Sequence, residues 1–183
     1  DIQTMLSNLG LKAEDLKGDI LDIGCGDGEL VEYLREKVGA RAIGIDLHPH
    51  QNGKDFIIKG DAQDLPFAAE SFDITISHAS VPNTFLSIYD FDNPEASSLV
   101  MKSDILKSIN EAIRILRPGG SARFSPVPMG ELYPSEKARS EGIKEALESI
   151  KDITDVEFIK IGIDENPDNG EKRDIYRITI TKK

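Results

Sequence analysis

The run Ile20-Leu21-Asp22-Ile23-Gly24-Cys25-Gly26-Asp27-Gly28-Glu29-Leu30 constrains this chain more than any other segment. Ile20 to Ile23 reads as a short buried strand that breaks into alternating glycines. Beyond them Leu30, Val31, Leu34 and Val38 recur with helical period. Strand, glycine turn and helix in that order bring bare backbone and a helix N-terminus up to a ligand. A Cβ would collide with a ligand packed on the main chain, and tight turns often demand positive φ. The helix N-terminus adds free N–H groups and partial positive charge. A small-molecule site is the expectation, with a ligand-free tight turn as the plainer alternative.

The glycine spacing narrows the ligand. Dinucleotide-binding folds use G-x-G-x-x-G with an acid about 20 positions on. Here the glycines fall at 24, 26 and 28 and position 29 is Glu, so the third dinucleotide glycine is missing. The pattern D-x-G-x-G-x-G over Asp22–Gly28 resembles the first motif of class I S-adenosylmethionine-dependent methyltransferases. Three further segments follow in order. Arg41-Ala42-Ile43-Gly44-Ile45-Asp46 reads as a second strand ending in an acid. Residues 56–77 read as a third strand, the exit loop Gly60-Asp61-Ala62-Gln63-Asp64-Leu65-Pro66-Phe67, and a fourth strand through Ser71-Phe72-Asp73 to Ser77. That block resembles the G-D-A-x-x-L-P-F…S-F-D stretch of the quinone-biosynthesis-like, type 11 subgroup. Arg114-Ile115-Leu116-Arg117-Pro118-Gly119-Gly120 resembles the R-x-L-x-P-G-G turn before the fifth strand of the same superfamily.

The resemblance implies an α/β, Rossmann-like three-layer sandwich around a seven-stranded, mostly parallel sheet with an antiparallel last strand. It implies S-adenosyl-L-methionine as cofactor. Asp22, Gly24, Cys25, Gly26 and Gly28 would frame its amino-acid end. Asp46, with Leu47 beside it, would take the ribose, because a carboxylate accepts bonds from both hydroxyls. Asp61 and Ala62 would read the adenine edge, and Ser77 would lie near the methionine amino group. Two plainer readings stay open: Asp22 capping the glycine loop, and Asp61 closing a turn.

At 183 residues one domain spanning 1–183 is expected. A hydrophobic share of 39% and a charged share of 30% fit a globular chain. No apolar stretch approaches the roughly 20 residues that span a bilayer, no signal peptide is visible, and a lone cysteine fits a reducing compartment. A cytoplasmic location is expected. The chain opens on Asp1 rather than Met, which suggests a longer natural N-terminus. The net charge of −11 argues against a broad grip on nucleic acid. A small-molecule or protein methyl acceptor is the expected partner.

Elsewhere, Ile2, Met5, Leu6 and Leu9 predict a leading helix stopped by Gly10 and covering an edge of the cleft. Only residues 47–55 remain between the second and third strands, with Pro49, Asn52 and Gly53 among them, so the usual crossover helix is replaced by a loop. Asn93 and Pro94 predict a helix running to about Leu116 with an inner stripe of Leu99, Leu106, Ile109, Ile113 and Leu116. The fifth strand is placed at 121–127 and a further helix at 134–150. Two final strands, 156–163 and 174–181, are joined by a turn at 165–170.

For chemistry, His78 follows the fourth strand, where ligands of open α/β sheets bind, and is the candidate general base. A hydrogen-bonded loop histidine is the alternative. His48 and His50 flank Pro49 without a third ligand, so no metal site is expected. Cys25 is expected to pack rather than react. Val81, Pro82, Phe85, Leu86, Tyr89 and Phe91 either roof an acceptor pocket or pack on the long helix. The acceptor is expected to approach over 77–80 and 125–128.

Rival classes fare worse. A nicotinamide oxidoreductase leaves Asp61-Ala62 and Leu65-Pro66-Phe67 unexplained. RNA ribose methyltransferases with a similarly short crossover use a fifth-strand lysine, which 121–126 lack. A catalytically inactive cofactor-binding or interaction domain of the same fold is the remaining alternative to a methyltransferase.

Overall fold

The computed structural model describes residues 1–49, 54–83, 85, 89–131, 133–165 and 170–183. The strands are β1 (Asp19–Ile23), β2 (Arg41–Asp46), β3 (Ile57–Lys59), β4 (Phe72–His78), β5 (Leu116–Met129), β6 (Thr154–Glu165) and β7 (Lys172–Lys182). They form one seven-stranded sheet in the order β3-β2-β1-β4-β5-β7-β6. β1 to β5 are parallel, and β7 runs antiparallel to both β5 and β6. This is the sheet anticipated from sequence, with the reversed strand inserted last.

Alternation along β1 sets up the layers. Ile20 points to one face and Leu21 and Ile23 to the other, and each face carries its own core. Helices α1 (Ile2–Leu9) and α2 (Glu29–Tyr33, continued by a wider turn over Leu34–Val38) cover the Ile20 face with Leu6, Leu9, Leu30, Val31 and Leu34. Helices α3 (Pro94–Arg114) and α4 (Pro134–Ile150) cover the other. α1 starts on the Asp1 side chain, which accepts from the Thr4 N–H, and ends in left-handed Gly10.

The inner stripe of α3 differs from the expected one. Its buried positions are Met101, Ile105, Ser108, Ile109, Ala112 and Ile113, while Leu99 is 71% exposed and Leu116 already belongs to β5. At about 100° per residue, Leu99 lies roughly 200° around the helix from Met101, on the solvent side. The short crossover holds: the described residues between β2 and β3 contain no helix. His50, Asn52, Gly53 and Leu86, and the turn residues 166–169, lie outside the described residues.

No helix separates β3 from β4, so α3 holds the intervening loop directly. Glu111 Oε2 accepts the Leu65 N–H at 2.8 Å. Arg114, paired with Glu111 at 2.6 Å, donates to the carbonyls of Phe67 (2.8 Å) and Leu65 (3.0 Å). Leu65 is buried, and Phe67 stacks edge-on against Phe72 at 4.9 Å. The Leu-Pro-Phe segment and the arginine of the later turn motif thus bind each other.

At the sheet's margins, β3 has only three residues, and β6 exposes Phe158 and Ile163 beside Asp155, Lys160 and Asp164. The β6–β7 ladder shifts register between Lys160 and Gly162.

Arg114→Ala should cost about 2 kcal/mol, since two carbonyls and a carboxylate lose a charged donor. The urea midpoint should fall at unchanged slope, with faster exchange of the Leu65 amide. An unshifted midpoint would refute this role for the arginine.

Candidate functional site

The β1 turn is drawn onto β2. Gly24 and Cys25 N–H both donate to the Ile45 carbonyl, at 2.7 and 3.2 Å. Gly26 N–H donates to Asp46 Oδ2 and His48 N–H to Asp46 Oδ1, each at 2.9 Å. Gly26 has φ of 53°, and no atom lies within 4 Å of where its Cβ would stand. That side of the turn is open space, though Gly26 lines neither of the two cavities at the strand ends. Gly28 is needed for a different reason: it caps α2 with a left-handed φ of 71°, and a Cβ there would also press on the end of Ile57. Lys54 closes the outside of the turn, donating to the Asp27 carbonyl and pairing with Glu32 at 2.8 Å.

Two cavities at the carboxyl ends of the parallel strands share Gly24 in their linings. The larger, about 510 Å³, is lined by Asp46, Leu47, Asp61 and Ala62, all anticipated. His48, Gln63, Ser80, Val81, Phe85 and Asp104 also line it, and sequence reasoning did not assign them to the cofactor cleft. The smaller, about 270 Å³, holds Asp22, Cys25 and His78 together with Met5, Asp27 and Glu29. Met5 brings α1 to the cleft as its apolar stripe suggested. Asp27 and Glu29 were legible only as neighbours of the glycines, and Asp104 carries no motif.

Each anticipated side chain has a definite place. Asp46 spends one acceptor position of each oxygen on the protein, and a carboxylate offers about four, so both oxygens keep capacity toward the cleft. Asp61 does close a turn, accepting the Gln63 N–H at 2.9 Å, and lines the cleft as well. Asp22 is only 5% exposed and caps nothing: its carboxyl has no hydrogen bond among the described residues. Burial first, and the Asp46 charge second, push its pKa up to about 7.

Ser77 departs from expectation. It is fully buried and lines neither cavity; its hydroxyl donates to the Ile23 carbonyl (2.9 Å) and accepts the Val81 N–H (3.0 Å). The side chain locks the end of β4 to β1 and is buried away from both cavities. Of the strand tips expected to face an acceptor, Ser80 reaches the cleft, while Ser125 and Val127 are buried. Within the loop after β4, Val81 and Tyr89 join the core, Phe85 lines the larger cavity, and Phe91 is exposed.

Cys25 packs as expected. Its sulfur fills the space beside Gly44, and burial, followed by the Asp22 and Asp46 charges, pushes the thiol up to about 12. His78 is half-buried with Nε2 3.4 Å from Asn8 Nδ2, and burial is the main cause holding it below the usual imidazole value. No group of three or more metal-binding side chains occurs among the described residues.

These features define an acid-lined cleft at the carboxyl edge of the parallel strands. Residues 21–124 match the family model described as a methyltransferase domain, and the chain belongs to that family. It is 32% identical over 137 residues to the "Probable phthiotriol/phenolphthiotriol dimycocerosates methyltransferase 2" of Mycobacterium ulcerans, covering 68% of this chain but 46% of that protein. Its fold is similar to a SAM-dependent methyltransferase of Methanosarcina mazei (TM-score 0.56, 20% identity, 91% and 93% of the two chains). It is also similar to phosphoethanolamine N-methyltransferase 2 of Haemonchus contortus in complex with S-adenosyl-L-methionine (TM-score 0.61, 17% identity, 99% and 52%). No helix among the described residues is long and apolar enough to cross a membrane.

Two outcomes test this site. Between about pH 4 and 7 folded Asp22 keeps a proton that the unfolded chain has lost, so stability falls as pH rises through that window. Asp22→Asn removes the slope. In ligand-free denaturant melts the variant should match wild type near pH 4 and exceed it at pH 8 by on the order of a few kcal/mol; equal stability at both values would refute the buried, unsatisfied carboxyl. Cys25 in the folded protein should react with iodoacetamide at pH 8 far more slowly than a free thiol, as followed by mass spectrometry.

Proposed function

We propose that this chain is the cofactor-binding and catalytic part of an S-adenosylmethionine-dependent methyltransferase acting on a small-molecule acceptor. The observation that carries the reading is the pair of cavities that share Gly24 in their linings, with Asp46 and Asp61 in one and Asp22, without a hydrogen-bond partner among the described residues, in the other. The residues fit the group. Asp46 has acceptor capacity for a ribose diol, and Asp61 for an amino-substituted base. Buried Asp22 gains the partner it lacks from an ammonium group.

When bound, S-adenosylmethionine supplies a methyl group on a sulfonium, so the displacement carries its own driving force. What remains for the protein is orientation and exclusion of water, and orientation alone can supply roughly 7–11 kcal/mol. Met5 and Leu30 provide apolar wall around the smaller cavity. His78 lines that cavity, with its imidazole pKa lowered chiefly by burial, and is the proposed acceptor of a proton from the methyl acceptor as it is alkylated. The small-molecule acceptor is supported by relatives named as a probable phthiotriol/phenolphthiotriol dimycocerosates methyltransferase and a fatty-acid O-methyltransferase, and by the chain's acidity, which disfavours nucleic acid.

Calorimetry with S-adenosylhomocysteine should show binding that Asp46→Ala weakens by at least tenfold, since a charged acceptor for two hydroxyls is lost. A radiolabelled methyl donor should then label a metabolite pool with wild-type protein but not with this variant. Binding without transfer to any pool would favour the non-enzymatic alternative, and label confined to a protein pool would change the acceptor class.

A further inference from the structure

We propose that Asp104, on α3, is a second reader of the adenine 6-amino group, sharing its two N–H donors with Asp61. The inference rests on the reading that the larger cavity takes the adenosine end of the cofactor.

Topology brings the residue there. α3 runs beside the loop that leaves β3, with Glu111 on the Leu65 amide and Arg114 on the Leu65 and Phe67 carbonyls. Asp104 lies seven residues before Glu111, two turns along the same helix face. As the loop runs back from Leu65 to Asp61, the helix runs back from Glu111 to Asp104, and both aspartates reach the same cavity.

The chemistry is matched to an amine. An ionised carboxylate only accepts hydrogen bonds, and an exocyclic amino group offers two N–H groups in one plane. Asp61 spends one oxygen on its own turn and keeps the other oxygen for the cleft. The Asp104 carboxyl makes no hydrogen bond among the described residues; its main-chain carbonyl, not its side chain, accepts the Ser108 hydroxyl at 2.7 Å. Left alone the Asp104 carboxyl is disfavoured as an anion: burial raises its pKa most, Lys107 pulls it back by less, and the Asp61 charge adds a smaller upward push. A donor placed between the two carboxylates relieves both costs. A 6-oxo base in the same place would set a third acceptor against them.

The test is calorimetric titration of wild type, Asp104→Ala and Asp104→Asn with S-adenosylhomocysteine and with its 6-oxo analogue, S-inosylhomocysteine. Wild type should prefer the amino ligand. Asp104→Ala should weaken that ligand roughly tenfold or more, the loss of one hydrogen bond to a charged group. Asp104→Asn should do the same and also gain affinity for the 6-oxo ligand, because its amide can donate. Asp104 is partly exposed and gives up no hydrogen bond when replaced, so melting temperatures should hold. Wild-type affinities for both ligands in both variants would overturn the role of Asp104 while leaving the adenosine site standing. Failure of wild type to bind either ligand would overturn the site reading and this inference with it.

Discussion

The carboxylate of Asp46 ties the turn after β1 to the exit of β2, and the rest of the cleft is laid out from that link. One oxygen holds the Gly26 amide and the other the His48 amide. The link fixes the open backbone of the glycine turn beside a charged acceptor and sets the cleft wall at Leu47 and His48. It also places a negative charge near Asp22, which sits on the α1 and α2 face of β1. The protein tolerates this opposition because one of the two carboxyls is buried and able to stay protonated.

Two sequence motifs separated by nearly fifty residues turn out to be halves of one contact. The Leu-Pro-Phe segment has no helix to brace it, and the Glu111–Arg114 pair on α3 does that work through three hydrogen bonds to the loop backbone. Arg117 in the same turn motif pairs with Asp19 and Asp73 at 3.0 and 2.9 Å, joining the starts of β1 and β4. The signature residues around 114–120 are therefore largely architectural. They hold the cleft in shape from behind, while acids that line it come from the strand ends.

Most of the fold was legible because period and punctuation agreed. The limits of β2 and α4 were read to the residue: an acid ends the strand, and a proline opens the helix. Ile109 and Ile113 of the expected α3 stripe are buried, but its ends were misread because Leu99 and Leu116 look apolar in a one-dimensional pattern, yet one faces solvent and the other has passed into β5. Within the site, glycines and strand-end acids announce themselves, since few other roles require those residues there. Ser77 misled because a hydroxyl at a strand end serves a ligand or a backbone equally well, and here the Ile23 carbonyl and Val81 amide take it. Asp104 was invisible for the opposite reason. An aspartate amid a polar helix surface carries no signal until the loop beside it is in place.

The treatment of the sheet's two margins has a consequence for how the protein behaves at high concentration. An open sheet presents unpaired amides and carbonyls along its outermost strands, which invite another chain to add itself. Here one margin is a three-residue strand, too short to template a neighbour. The other is long and partly apolar, but charges punctuate it and its register breaks at Lys160–Gly162. A bulge and alternating charge spoil the flat, continuous ladder that fibrillar stacking needs. The apolar side chains of β6 can therefore stay in solvent without seeding cross-β growth.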